Sequence, residues 1–241
     1  MNHKSSVPVL IFGASRGTGL LLARRLRRQG VDVYAMLRPQ SDGTELHDLG
    51  VHVLQGDALE PDDVARAFSA AGAGCDVVST LGGRQNGRYV DHEGNVHVAD
   101  QAAQVGIHRF VLVTSIGCGD MAPYRSAKAV EAFGDSVDAK TRAENHLRRV
   151  LPSATIVRPG GLLSDNATGQ GWLCEDPQVH GFITRADLAE LIDRVLRDPA
   201  TRGRTLAAVD AQRLRCVNPV TPFSLSPARD TPDGASVTGV A

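Results

Sequence analysis

The sequence predicts an α/β fold, a doubly wound parallel sheet of about seven strands with helices on both faces. Three observations carry that expectation. Short β-branched runs alternate with amphipathic stretches through the first 210 or so residues. The first apolar run, Val7 to Phe12, passes through a glycine-rich turn directly into a helical pattern. Parallel strands need right-handed crossovers, and the amphipathic stretches are long enough to supply them.

The elements follow in order. A strand at about 7–12 leads into Gly13-Ala-Ser-Arg-Gly-Thr-Gly19 and a helix at about 18–29, whose Gly19, Ala23 and Leu26 share one face while Arg24, Arg25 and Arg28 turn away. Gly13 permits a tight exit from the strand, Gly17 removes a Cβ where an anion would approach, and Gly19 lets helix and sheet pack closely. Such a turn presents unpaired N–H donors and a partial positive charge to a pyrophosphate. A second strand, about 31–37, ends in Arg38, and a third, about 51–55, is followed by Gly56-Asp57-Ala58. Pro61 opens a helix at about 61–71 with Asp62 and Asp63 in its first turn. Next come a strand at about 76–80, a helix at about 94–105 closed by Gly106, and a strand at about 109–114. Helices are expected near 123–134 and at 139–150, then a strand at about 154–158.

Residues 160–182 have no clear period and lie where substrate-covering segments are inserted in such folds. Thr184 and Asp187 form a capping box for a helix at about 184–197, with Leu188, Leu191, Ile192 and Val195 as its core stripe. A last strand is expected at about 205–210. From Ala211 onward Pro219, Pro222, Pro227 and Pro232 interrupt any period, which predicts an extended or mobile tail over 211–241 beside a nucleotide-binding domain over 1–210.

Composition narrows the classes of function. Lys plus Arg number 26 and Asp plus Glu 27, so no global field draws nucleic acid or an anionic membrane, and Arg24, Arg25, Arg27 and Arg28 read as a solvated helix face. Cys75, Cys118, Cys174 and Cys216 are far apart without a C-x-x-C pair, which argues against a metal site and suits reduced thiols acting as small apolar residues. Met-Asn-His-Lys-Ser-Ser reaches the first strand without room for a signal peptide, and no apolar run approaches membrane-spanning length. The expectation is a cytoplasmic protein whose partner is a small molecule; oligomeric state is not encoded in any pattern.

The end of the second strand selects the cofactor. NAD-binding versions of this turn place an acid there to hold the ribose 2′-hydroxyl, whereas this chain has Arg38, which pairs with a 2′-phosphate. Arg16, inside the turn, adds a second donor from the other side. NADP(H) is therefore favoured over NAD(H). Asp57 is placed either to reach the adenine or to serve as a helix-entry carboxylate.

Over about residues 7–210 the chain resembles the short-chain dehydrogenase/reductase superfamily, in its atypical NAD(P)H-binding branch that includes flavin and quinone reductases like biliverdin reductase B. The pieces are Gly13 to Gly19, Leu37-Arg38, Gly56-Asp57-Ala58, Asp76 to Gly82, Gly94-Asn95, His108 to Gly117, Lys140-Thr-Arg-Ala-Glu144, Thr155 to Gly160 and Ile183 to Ala189. Their order and spacing make the resemblance specific, although Arg16 stands where atypical members often carry glycine. The resemblance implies a Rossmann-type site at the carboxyl ends of the strands. Gly13, Ser15, Arg16, Gly17, Thr18 and Gly19 would hold the phosphates, with Arg38, Asp57 and Ala58 toward the adenosine. Ser79, Thr80, Leu81 and Gly82 would line the adenosine side, Thr114 and Ser115 the nicotinamide, and Pro159-Gly160 its carboxamide.

Most reductases of that superfamily use a Tyr-x-x-x-Lys pair in which the lysine binds the nicotinamide ribose and lowers the tyrosine pKa, beside a serine that holds the substrate oxygen. Ser115 matches the serine in position. Two lysine registers are open. Lys140 stands in Lys-x-x-Ala-Glu at the distance from Pro159 that the atypical branch shows, but Ser136 occupies the tyrosine position; Tyr124-Arg-Ser-Ala-Lys128 is a literal match, but it begins only nine residues after Ser115. Lys140 is the favoured ribose lysine, and Tyr124 either swings in as proton donor or stays on the surface. His92 and His97 read as helix-surface or structural histidines, and Trp172, within 160–182, either covers substrate or nicotinamide or packs in the core. The expected activity is NADPH-dependent hydride transfer to a quinone, flavin or activated carbonyl. The rivals are an NADP(H)-binding sensor or scaffold without turnover, and a non-redox isomerase or cyclase.

Overall fold

The computed structural model describes residues 7–226. In chain order its elements are β1 (Val9–Phe12), α1 (Gly17–Arg28), β2 (Val33–Leu37), α2 (Thr44–Asp48), β3 (His52–Gln55), α3 (Pro61–Ala71), β4 (Asp76–Ser79), β5 (Arg84–Gln85), β6 (Arg88–Tyr89), α4 (Glu93–Gln104), β7 (Phe110–Val113), a 3-10 helix (Gly119–Tyr124), α5 (Ala127–Val150), β8 (Thr155–Pro159), β9 (Gly161–Leu163), β10 (Gly171–Cys174), β11 (Phe182–Thr184), α6 (Arg185–Arg197), a second 3-10 turn (Pro199–Thr201) and β12 (Thr205–Asp210).

The main sheet runs β10-β12-β8-β7-β4-β1-β2-β3 and is parallel throughout except for β10, which pairs antiparallel with β12. The expected doubly wound α/β sheet is thus present, with eight strands where the sequence suggested about seven. The additional strand lies inside the stretch expected to be irregular. Four residues carry too little alternation to register as a strand, and only the edge of β12 gives them partners (Trp172 to Val209, Leu173 to Ala208). The same stretch holds β9 and β11, which pair with each other in parallel. Helices expected near 123–134 and at 139–150 are one helix, α5, with Gly134 buried in its middle and Tyr124 ending the preceding 3-10 turn. Gly134 weakens the local helical signal, but packing overrides a single unfavourable residue.

Alternation along β1 feeds both faces of the sheet. Val9 and Ile11 join Leu22, Leu26, Leu188 and Ile192 under α1 and α6, while Leu10 and Phe12 join Phe68, Val98, Phe110 and Leu147 under α3, α4 and α5. Burial pushes the Cys75 thiol up to about 11 and those of Cys118 and Cys174 up to about 12. Within 211–226 there is no helix. His180 and Arg215 exchange backbone hydrogen bonds, the Phe223 N–H donates to the Leu173 carbonyl at 2.6 Å, and Phe223 and Leu225 pack against the core. Residues 1–6 and 227–241, the latter being the second half of the expected tail, lie outside the described residues.

The chain runs β1-β2-β3 in one direction and β4-β7-β8-β12 in the other, so the order reverses between β1 and β4 and opens a crevice above their carboxyl ends. One close approach positions that crevice. The Gly13 backbone has φ +90°, and a Cβ on Gly19 would overlap the Gly13 carbonyl oxygen and lie 2.7 Å from Thr80 Oγ1. Gly19→Ala must therefore lift α1 from the turn. We expect it to lose about 1–3 kcal/mol in urea unfolding, as other overpacked sites do, and to bind dinucleotide at least about tenfold more weakly; unchanged stability and affinity would contradict the contact.

Candidate functional site

A cleft of about 870 Å³ opens over the ends of β1, β2, β3, β4, β7 and β8, within the size range of small-molecule sites. Its floor is the turn Gly13, Ser15, Arg16, Gly17, Thr18 and Gly19. Thr80 Oγ1 donates to the Gly13 carbonyl at 3.0 Å and lies 3.2 Å from that of Phe12, which ties the end of β4 to the turn after β1. The Thr18 hydroxyl, in the first turn of α1, is buried and has no partner among the described residues. An orphaned donor at a helix N-terminus, beside a backbone stripped of Cβ atoms, fits an oxyanion such as the pyrophosphate of a dinucleotide.

At one end of the cleft Gln85, on the β5–β6 hairpin, joins the two residues expected to flank the adenosine. Arg38 Nη1 donates to Gln85 Oε1 at 2.8 Å, and Gln85 Nε2 donates to Asp57 Oδ2 at 2.6 Å. Asp57 Oδ1 also accepts from the Leu59 N–H at 2.9 Å, so the helix-entry role and the cleft position coexist in one side chain. Arg38 and Arg16 are both exposed, and no acid ends β2.

At the other end are two buried charge clusters. Lys140 Nζ is paired with Asp91 Oδ1, and Asp91 Oδ2 accepts from the Gly83 N–H at 2.9 Å and from Ser136 Oγ at 3.2 Å. Asp91 is fully buried. Ser136, which stands at the superfamily's tyrosine position, therefore completes the shell of this carboxylate. Burial pushes the Lys140 ammonium down to about 8, and the Asp91 carboxylate opposes that by favouring the charged form. The lysine is protonated at neutral pH on either count. In the second cluster Thr114 Oγ1 donates to Glu144 Oε1 at 2.7 Å, while Arg158 donates through Nε and Nη2 to the two Glu144 oxygens at 3.0 and 2.7 Å. Burial alone would lower the Arg158 pKa, but Glu144 and Asp120 outweigh it and hold the guanidinium charged. The Thr114 hydroxyl has its proton committed, so toward the cleft it offers an acceptor.

The cleft thus gathers Gly13, Ser15, Arg16, Gly17, Thr18, Gly19, Arg38, Asp57, Ala58, Thr80, Leu81, Gly82, Thr114, Lys140 and Pro159. Ser79 and Gly160 are not on its wall. Ser79 is fully buried and donates to Asn95 Oδ1 at 2.5 Å, and Gly160 is buried where a Cβ would overlap the Gly181 carbonyl oxygen. Ser115 is half-buried beside the lining rather than in it; Tyr124 is 41% exposed and Lys128 is exposed, both away from it. Of the two lysine registers, only that of Lys140 reaches the cleft. His97 Nδ1 lies 2.9 Å from the Ala58 carbonyl, and Trp172 is half-exposed on the edge strand. Sequence reasoning missed Asp91, Gln85, Ser164 and Arg185. Asp91 had a weak signal as an acid just before α4, whereas the others reach the cleft only through tertiary packing.

Comparison with known proteins agrees with this geometry. Residues 13–199 match the NAD(P)H-binding family, and the chain belongs to it. It is similar to the solved structure of ChuY, an anaerobilin reductase from Escherichia coli O157:H7, with 36% identity and a TM-score of 0.79 over 85% of this chain and 98% of that one. Among curated proteins it is 29% identical over 179 residues to the uncharacterized sugar epimerase YhfK of Bacillus subtilis, spanning 71% of this chain and 79% of the relative. It is also 28% identical over 214 residues to an uncharacterized chloroplastic protein, At2g34460, of Arabidopsis thaliana, spanning 83% of this chain and 76% of the relative. The chain is therefore an NAD(P)-binding protein of oxidoreductase-like Rossmann fold. No helix of the described residues is long and apolar enough to cross a membrane.

The pH dependence of nucleotide binding checks the Lys140–Asp91 pair. Lys140 donates fully only while protonated, so affinity should hold below about pH 8 and weaken above it. Asp91→Asn removes the charge that favours the protonated form and should move this limb to lower pH, whereas Lys140→Arg, which does not titrate in the range, should flatten it. Calorimetric titrations between about pH 6 and 10 read both shifts; superimposable profiles for wild type and Asp91→Asn would refute the coupling.

Proposed function

We propose that this protein is an NADPH-dependent reductase that passes hydride to a small conjugated acceptor, a quinone, a flavin or an activated carbonyl. The observation that carries the reading is the gathering, in one cleft, of the glycine-rich turn, an arginine in place of an acid after β2, and Lys140 at the opposite end. When bound, the cofactor supplies the hydride; the chain supplies binding, orientation and charge. Arg38 and Arg16 would hold the 2′-phosphate, Arg38 exchanging its present bond to Gln85 for a charge-assisted one. Lys140, steadied by Asp91, would donate to the nicotinamide ribose, and Thr114 with Pro159 would orient the carboxamide. The likeness to ChuY supports a reductase.

The acceptor class follows from what the wall of the cleft carries. Among the residues that line it there is no tyrosine, histidine or cysteine, and the only side chain able to give up a proton near neutral pH is Lys140. General acid catalysis is worth about 10²–10⁴-fold. A simple ketone, whose reduction builds up an alkoxide, would be a poor substrate, whereas a quinone or flavin delocalises the charge. With Lys140 committed to Asp91 and the ribose, the absence of a tyrosine, histidine or cysteine from the wall also suits a protein that binds NADP(H) as a sensor or scaffold, and one experiment separates the readings. NADPH oxidation against quinones, flavins and aldehydes should reveal turnover with the first two, and Tyr124→Phe should stay within about an order of magnitude of wild type. No turnover with any acceptor, alongside tight NADPH binding, would favour the sensor; rapid reduction of an unactivated ketone that Tyr124→Phe abolishes would restore a tyrosine mechanism.

For the cofactor, Arg38→Ala should weaken NADPH about ten- to a hundredfold and leave NADH nearly unchanged, as loss of one hydrogen bond to a charged group implies. Fluorescence titration of both nucleotides reads this, and equal wild-type affinity for the two would refute the preference.

A further inference from the structure

Arg185 lies in the Ile183 to Ala189 piece of the family resemblance, but nothing in the sequence gave it a role in the cleft it lines. It is the first residue of α6, and the start of that helix is tightly fixed. The Thr184 Oγ1 accepts from the Asp187 N–H at 3.0 Å and donates to Asp187 Oδ2 at 2.7 Å, while Asp187 also accepts from the backbone N–H groups of Thr168 and Gly169. Farther along, α6 is bound to α1 through Asp193, which accepts from Arg25 Nε at 2.8 Å and from Gln29 Nε2 at 2.8 Å. The two helices are thus clamped side by side with their N-termini toward the cleft, and Arg185 is held above the beginning of α1.

Its side chain leans over the glycine-rich turn. Arg185 Cδ and Nε lie 3.5 Å from the point where a Cβ of Gly17 would sit. One edge of the guanidinium is engaged: Nη1 donates to Ser164 Oγ at 2.9 Å and lies 3.3 Å from the Leu162 carbonyl, both on the lip formed by β9 and the residues after it. Nε and Nη2 have no protein acceptor among the described residues. Arg24, Arg25, Arg27 and Arg197 on the same two helices have carboxylate partners; Arg28, Arg194 and Arg185 have none among the described residues, and of these three only Arg185 lines the cleft. Asp57, the one acid on the cleft wall, is bonded to Gln85 at the far end. A guanidinium without a counter-ion, aimed at a helix N-terminus that also holds the unpartnered Thr18 hydroxyl, is half of an anion site whose other half is the turn itself.

We propose that Arg185 clamps the dinucleotide pyrophosphate from the lip opposite the glycine-rich turn. The proposal rests on the dinucleotide reading above and adds to it a residue outside the motif. Through Ser164 and Leu162 the same side chain links the phosphate site to the strand that borders the acceptor end of the cleft.

Calorimetry on the full chain separates this from a general loss of fold or of cofactor recognition. Three ligands are compared: NADPH, 2′-phospho-ADP-ribose, which keeps the pyrophosphate but lacks nicotinamide, and adenosine 2′-phosphate, which lacks the pyrophosphate. Arg185→Gln should weaken the first two about ten- to a hundredfold and leave the third within about twofold, with Arg185→Lys intermediate because it keeps the charge but not the fork. Arg38→Ala should weaken all three, including the ligand without pyrophosphate. Unchanged NADPH affinity in Arg185→Gln, or an equal loss for all three ligands, would overturn the clamp while leaving the cofactor reading intact. A wild-type chain that binds none of the three would overturn the cofactor reading itself.

Discussion

The Gly13 carbonyl oxygen, pressed by the first turn of α1 at Gly19 and hydrogen-bonded by Thr80, is the contact on which the rest of the site depends. It brings three chain segments, the exits of β1 and β4 and the start of α1, closer than any side chain on Gly19 would permit. Because β1 and β4 are neighbours at the point where strand order reverses, that contact also fixes where the crevice opens. The helix start is left with unpaired donors facing the crevice, and the absence of Cβ atoms lets a ligand approach them.

Around this floor the protein spends charge unevenly. At the Arg38 end of the cleft an exposed arginine and the half-buried Asp57 are bridged by the neutral amide of Gln85. At the Lys140 end the charged groups are buried and fully coordinated: Asp91 receives Lys140, Ser136 and the Gly83 N–H, and Glu144 receives Thr114 and Arg158. Buried ion pairs contribute little net stability, because desolvation offsets most of their attraction. What they secure here is position. Lys140 and Thr114 each reach the cleft from a rigid helix or strand end, with the orientation set by a carboxylate behind them.

Position 136 belongs to the first of these clusters. In the resembled superfamily a tyrosine there would face substrate, but here the side chain at 136 faces Asp91 and shares in holding the lysine. On the described wall of the cleft the lysine is held by a carboxylate that a serine hydroxyl also meets, and no tyrosine lines that wall.

By itself the sequence determined the alternation of strands and helices, the parallel sheet and the cradle at its first turn. Each is local: a period of 2 or 3.6 residues, a glycine spacing, a capping box at Thr184. The positions of Gly13 to Gly19, Arg38 and Asp57 were legible for the same reason, since each lies at a fixed step from a strand end or within a short motif, whereas Thr80 and Lys140 were expected through the family resemblance, Lys140 as one of two registers. Only the tertiary structure decided the rest. β10 is four residues long and exists because β12 offers an edge, and α5 is continuous because its buried face outweighs Gly134. Asp91, Gln85 and Arg185 stand 49, 47 and 168 residues from Lys140, Arg38 and Gly17, the groups they face or adjoin. No local pattern encodes such distances; the packing of a hairpin, a helix start and the α1–α6 pair supplies them, because a side chain's partner is set by which surfaces the core brings together.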